Sequence, residues 1–193
     1  MNVQQTVDRR VQRTRRLLHE ALFHLIIVGD YEHITIQDIT EQANLGRTTF
    51  YLHYKDKEEL LRESIRALLH DMQLEVEPDE TEQCTFQVLS SRIFQHVKQR
   101  QHLYRAMLKE SGPTNNLGEV MRNYFIELCQ RFLQQQQGPL NLSCIPAIEH
   151  EIFVAHAAGS LFGLISWWLN HEVSPSSEEM GTIFFQLMTG KGR

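Results

Sequence analysis

Cysteine is scarce in this chain: there are three, Cys84, Cys129 and Cys144, and no two are spaced CxxC. An odd, scattered set gives no disulfide framework. A secretory h-region is also missing, because the first residues are polar and rich in arginine, so a cytoplasmic location is expected. There is no comfortable membrane span. The most apolar stretch, Phe153 to Leu169, is broken by His156, Ser160 and Ser166 and falls short of the roughly 20 residues a span needs. A helix buried on two faces is expected there, and no membrane partner. Enzyme signatures are missing as well: no glycine-rich phosphate loop, nucleophile elbow or paired carboxylates stand out, so no catalytic residue is expected. The ten histidines include no HxxxH or HExxH pair. His150 and His156 lie six apart, as do His96 and His102, a spacing that turns two side chains to different sides of a helix. No metal site and no cofactor are expected.

What is present is a helical, unevenly charged chain. Of its 193 residues 41% are hydrophobic, enough for a real core in one large or two small domains. The formal net charge is -5, yet residues 1–19 hold five arginines (Arg9, Arg10, Arg13, Arg15, Arg16) against one carboxylate, Asp8. Affinity for a polyanion follows such a local basic surface, not the whole-chain sum.

Nothing alternates as a strand ladder does. Apolar residues recur at helical spacing from end to end and predict about nine helices, an all-α fold. Leu18, Ala21, Leu22, Leu25 and Ile26 define a helix over 8–28, closed at Gly29-Asp30 by a left-handed glycine. Asp56 caps a helix through Leu60, Leu61, Ile65 and Leu68 to about Met72. Residues 75–83, acidic and containing Pro78, read as a linker. Helical patterns resume over 86–97, 103–108 and 120–133, with a break at Gly112-Pro113 and a loop at 138–145. Pro146 suits the first turn of a long helix to Asn170, and Ser174-Pro175 opens a last one.

Residues 35–54, TIQDITEQANLGRTTFYLHY, carry the densest local information. Thr35 can cap the backbone of Asp38, Ile34 and Ile39 stand at the positions of a hydrophobic staple, and Asn44 is a suitable left-handed turn residue. A second short helix comes next, over 47–54. At about 100° per residue, Arg47, Thr48, Tyr51 and Lys55 fall within an arc of about 100°, while Phe50 points elsewhere and can pack against Leu45 and Ile39. A polar, aromatic and cationic face on so short a helix is not a core face.

These residues resemble the DNA-binding domain of the TetR/AcrR family of bacterial transcription regulators. The resemblance rests on T-I-Q-D-I-T-E-Q-A, the turn N-L-G, and R-T-T-F-Y-L-H-Y-K-D-K-E-E-L, with Ala43, Thr49, Tyr51, His53, Lys57 and Leu60 on the family pattern. Asn44 stands where a glycine is common, and Thr48 where a glycine, alanine or proline is frequent. The match covers about the first third of the chain; the order of later helices is similar to the family's ligand and dimer domain. The resemblance implies a helix-turn-helix domain at 8–56, with the motif at 35–54, and a helical effector-binding and dimerisation domain at 57–193.

It also implies roles. Arg47, Thr48 and Thr49 would approach base edges; Tyr51, His53, Lys55, Lys57, Thr35 and Gln37 would meet phosphates, as would the N-terminal arginines. One module reads only a few base pairs, so a homodimer on a near-palindromic double-stranded operator is expected. Ala155, Gly159 and Gly163, four residues apart, would allow close helix approach at its interface. Phe94, Tyr104, Met107, Tyr124, Phe125, Phe162 and Trp167 are candidates for lining an effector pocket. The implied function is a dimeric repressor whose operator affinity changes with a small, partly apolar effector. Activation is the rarer mode in the family, and the sequence leaves both open. The rival readings from the residues alone are a helical protein-binding adaptor or a small-molecule enzyme that does not bind DNA.

Overall fold

Nine α-helices and one 3₁₀ turn make up the described part of the chain, with no strand among the described residues. The structure, a computed structural model, describes residues 3–76, 86–108, 116–135, 147–171 and 175–190. The expected break at Gly112-Pro113, the loop at 138–145, the helix-starting Pro146 and Ser174, and all of the expected linker beyond Val76 lie outside those residues. The chain divides into two compact units, Met1–Leu68 and Leu69–Arg193.

In the first unit α1 (Val3–Val28) precedes a 3₁₀ turn (Tyr31–His33), α2 (Ile36–Gln42), α3 (Arg47–Tyr51) and the start of α4 (Lys57–Val76). Leu18, Ala21, Leu22 and Ile26 form the buried stripe of α1, and Leu60, Leu61, Ile65 and Leu68 that of α4. Together with Tyr31, Ile34, Ile39, Phe50 and Tyr54 they make the core of this unit. At the end of α1 the expectation of a left-handed glycine fails: Gly29 bonds to the Leu25 carbonyl at 2.9 Å without a positive φ. The cause is the neighbouring residue. Asp30, in extended backbone, caps the 3₁₀ turn through the amide of Glu32, so the chain leaves α1 without needing a reversal.

The second unit contains α5 (Phe86–Gln99), α6 (Gln101–Leu108), α7 (Asn116–Gln135), α8 (Ala147–Asn170) and α9 (Ser177–Thr189). The packed pairs are α5 with α9 and α7 with α8, joined by α6. At Gly181 α9 comes so near α5 that an added Cβ would stand 2.4 Å from the Ser91 Cα. Ser176 opens α9 with a reciprocal capping box to Glu179, and Gly190, at φ +65°, closes it. Glu151–Asn170 of α8 is the one helical segment among the described residues long and apolar enough to cross a bilayer by length and composition. Within the unit, Val154, Ala157, Ala158, Leu161, Ile165, Trp168 and Leu169 of that helix are buried.

Candidate nucleic-acid interface

The surface around α3 is built by local chemistry. Thr35 starts α2: its hydroxyl accepts from the Asp38 amide at 3.2 Å, and its own amide donates to the Asp38 carboxylate at 2.8 Å. The Thr35 hydroxyl also donates to the Asp38 carboxylate at 2.7 Å, and this bond first, with that from the Thr35 amide second, holds the Asp38 carboxyl below its ordinary range. At the end of α2 the chain reverses at Asn44, φ 52°, and the amide of Leu45 returns to the Thr40 carbonyl at 2.9 Å. Asparagine tolerates this left-handed backbone because its short polar side chain bonds locally. Gly46 then begins α3 in extended backbone, with no side-chain cap.

Helix α3 is anchored from one side only. Phe50 and Tyr54 are buried, with ring centroids 6.0 Å apart. Tyr51 meets Phe50 edge-on at 5.4 Å, which sets the direction of its ring, yet it remains 52% exposed. Arg47 and Thr48 are exposed beside it. The structure therefore brings Arg47, Thr48 and Tyr51 onto one outward ridge. Thr49 is half-buried on the other side of the helix. The helix stops at Tyr51 instead of continuing to Tyr54: the His53 amide turns to the Phe50 carbonyl three residues back, at 2.9 Å, in place of the α-helical bond to Thr49. Lys55 is thus exposed beyond the helix, in the turn that Asp56 and Glu59 close: the Glu59 amide donates to the Asp56 carboxylate at 2.7 Å, and the Lys55 amide to Glu59 at 2.8 Å.

The remaining expected contacts have intramolecular partners. The Lys57 ammonium donates to the Tyr31 carbonyl at 2.8 Å and lies 4.3 Å from the centre of the Tyr31 ring, so it braces α4 against the 3₁₀ turn. Gln37 is exposed, and its side-chain amide donates to Glu41 at 2.8 Å. His53 is half-buried; burial first, and Arg15 second, lower its imidazole pKa.

One arrangement has no signal in the sequence. His19 Nε2 and the Tyr54 hydroxyl are 2.8 Å apart, a contact between residues 35 positions apart. Arg15 stacks over the same tyrosine, its guanidinium carbon 5.7 Å from the ring centre. Burial, with Arg15 adding to it, pushes the His19 imidazole down to about 4, so it is neutral where the protein works. This latch ties the turn after α3 to α1. No periodicity could reveal it, because the two residues meet only in the folded unit.

In the second unit the candidate pocket residues divide. Phe94, Tyr104, Met107, Tyr124 and Phe125 are buried, and Phe162 is half-buried. Phe125 meets Phe162 edge-on at 6.2 Å, and Phe94 packs against Phe184 at 6.3 Å and Trp168 at 5.5 Å. Trp167 is not with them. It is 47% exposed and stacks on His171 at 4.3 Å, whereas Trp168 is 3% exposed and donates its indole N–H to the Pro175 carbonyl at 2.7 Å. Ala155, Gly159 and Gly163 are exposed, and a Cβ added at either glycine meets nothing within 4 Å. Burial pushes the Cys129 thiol up to about 12, so it stays protonated and unreactive. Among the described residues no three His, Cys, Asp or Glu side chains gather as a metal site would require.

Comparison with known proteins adds to this geometry. Residues 18–64 match the profile described as bacterial regulatory proteins, tetR family. Residues 85–190, more than half the chain, match the profile described as transcriptional regulator C-terminal region of the same family group. The chain is 49% identical over 61 residues to the uncharacterised HTH-type transcriptional regulator YxbF of Bacillus subtilis, a match over 31% of this chain and 16% of that protein. It thus spans only a small part of that curated relative's length. Among solved structures it is similar to a TetR transcriptional regulator from Streptococcus agalactiae 2603V, with 25% identity and a TM-score of 0.65, covering 95% of this chain and 98% of the other. It also shares the fold of the dihydroxyacetone kinase operon activator DhaS, with 16% identity and a TM-score of 0.60, covering 92% and 94%.

Proposed function

The chain belongs to the TetR family of DNA-binding transcription regulators, and from that premise we propose that two copies bind a near-palindromic operator and repress the gene beside it. The observation that carries the reading is the outward ridge of α3. Arg47, Thr48 and Tyr51 are exposed on a helix whose other side is held by buried Phe50. Arg47 donates two hydrogen bonds, as a fork, to guanine O6 and N7, and Thr48 lies next to the base edges. Thr49 contributes from the flank. Tyr51, His53, Lys55, Thr35 and Gln37 contact phosphates, with Lys57 supporting them through its brace on Tyr31. The DNA-reading part is 8–56; residues 57–193 carry the dimer and effector functions. A dimer seated on DNA represses by occupying the site, which needs no contact with polymerase.

The dimer forms along α8. Ile152, Ala155, Gly159, Gly163 and Trp167 lie within an arc of about 120° at 100° per residue, and all five are exposed. Small residues at the centre let two helices approach closely, and Ile152 and Trp167 add apolar area at the ends. Leu187 of α9 is also exposed. The effector is a small, partly apolar molecule taken up among Phe94, Tyr104, Met107, Tyr124, Phe125 and Phe162. It releases the operator if it binds one quaternary state better than the other. The protein works in the cytoplasm, and no enzymatic step is part of this reading.

A gel shift against duplex DNA from upstream of the protein's own gene tests the core of this. A sequence-selective complex that weakens steeply with salt is expected. A shift equal for all sequences, or none, would leave the adaptor or enzyme reading. Titrating small apolar compounds into the complex tests the sensor; affinity unchanged by all of them removes it. Raised transcription on deleting the gene is expected, and a fall would mean activation.

A further inference from the structure

We propose that Leu52 is a specificity-determining residue that reads a thymine methyl group in the major groove; the inference rests on the DNA-reading role of α3. Leu52 is 77% exposed, the most open large apolar side chain among the described residues. It is not on a loose segment. Its backbone is helical, φ -73° and ψ -19°, and its amide bonds to the Thr48 carbonyl at 3.2 Å, so it extends the path of α3 by one residue. Its direction therefore follows from helix geometry. At about 100° per residue it stands about 40° from Thr48 and about 160° from the buried Phe50. It points away from the core on the same ridge as Thr48, its i, i+4 neighbour.

That ridge changes in character along its width. Arg47 and Tyr51 supply hydrogen-bonding groups on one side; the Thr48 methyl and the Leu52 isobutyl group make an apolar strip on the other. Phosphates offer nothing to such a strip. On the base edges of the major groove the apolar group is the C5-methyl of thymine. A leucine held in water next to a base-reading arginine is matched to that group, and the gain comes from removing both apolar surfaces from solvent.

The test uses the full-length protein and a duplex selected by it from a randomised pool. Each thymine is replaced singly by deoxyuridine, which deletes one methyl and keeps every hydrogen-bonding group. At one position in each half-site the replacement should weaken the parent about fourfold, the value of roughly one buried methyl group. Leu52→Ala should bind the thymine and uracil duplexes equally, and Leu52→Met should restore the discrimination. Thermal melting of L52A should match the parent, since the side chain is exposed. A thymine preference unchanged in L52A overturns the inference. So does an L52A loss that is equal for every duplex, which would mean a sugar contact. Failure to select any sequence defeats the DNA reading itself, a result distinct from a selected duplex indifferent to Leu52.

Discussion

Residues 1–68 and residues 69–193 put their buried aromatic side chains to different uses. The first unit buries Phe50 and Tyr54 to hold one short helix, and turns Tyr51 out beside Arg47 and Thr48. The second draws Phe94, Tyr104, Tyr124, Phe125 and Trp168 inward and leaves a line of small residues exposed on α8. A surface that reads another molecule needs few residues at fixed angles, which local hydrogen bonds can supply. An interior that holds or excludes a ligand needs many residues from distant helices, which only packing can supply.

The adjacent tryptophans of α8 offer the largest test of the contrast. Trp168→Ala removes a buried ring packed on Phe94 and should cost about 3–5 kcal/mol of unfolding free energy in denaturant titration. Trp167→Ala should leave subunit unfolding nearly unchanged and weaken self-association in sedimentation. Equal effects would erase the distinction between inner and outer faces. Next in size is the outward ridge: replacing Arg47 and Tyr51 together by alanine should lower operator affinity by about a hundredfold or more, with melting unaltered. Parent-like selection of the same duplex by that variant would remove the ridge from the interface.

Packing within the second unit is then probed at Gly181. Gly181→Ala sets a Cβ against the Ser91 backbone and should destabilise by about 1–3 kcal/mol, read by calorimetry, without altering the base preference proposed for α3. The smallest effect concerns the latch in the first unit. The unfolded chain takes up a proton on His19 near 6.5, which the folded unit refuses until about 4, so stability should be lost as pH falls through that window. His19→Gln should flatten this part of the melting-temperature profile; a profile identical to the parent's would remove His19 as its source.

The parts of the fold legible in the sequence depend on short reach. The Thr35 cap acts over three residues and the Asn44 turn over five, so spacing alone locates them, and both stand as expected. The order of helices follows from apolar periodicity in the same way. Gly29 shows the limit: glycine after a helix suggests a left-handed cap, but the adjoining Asp30 cap removes the need for one. Leu52 carries no such local signal, because an apolar residue beside an aromatic reads as core. Its exposure depends on where α3 ends, a matter of which amides reach the Phe50 carbonyl.

By itself the sequence determined an all-α chain, its first-third helix-turn-helix and the family to which both belong, because hydrogen bonds and apolar spacing within a few residues dictate them. The tertiary structure alone decided that His19 grips Tyr54, that Trp168 turns inward and Trp167 outward, and that Gly181 is where α9 presses on α5. Each of these depends on which distant side chain fills the adjacent space, and close packing settles that only when all the helices of a unit are in place.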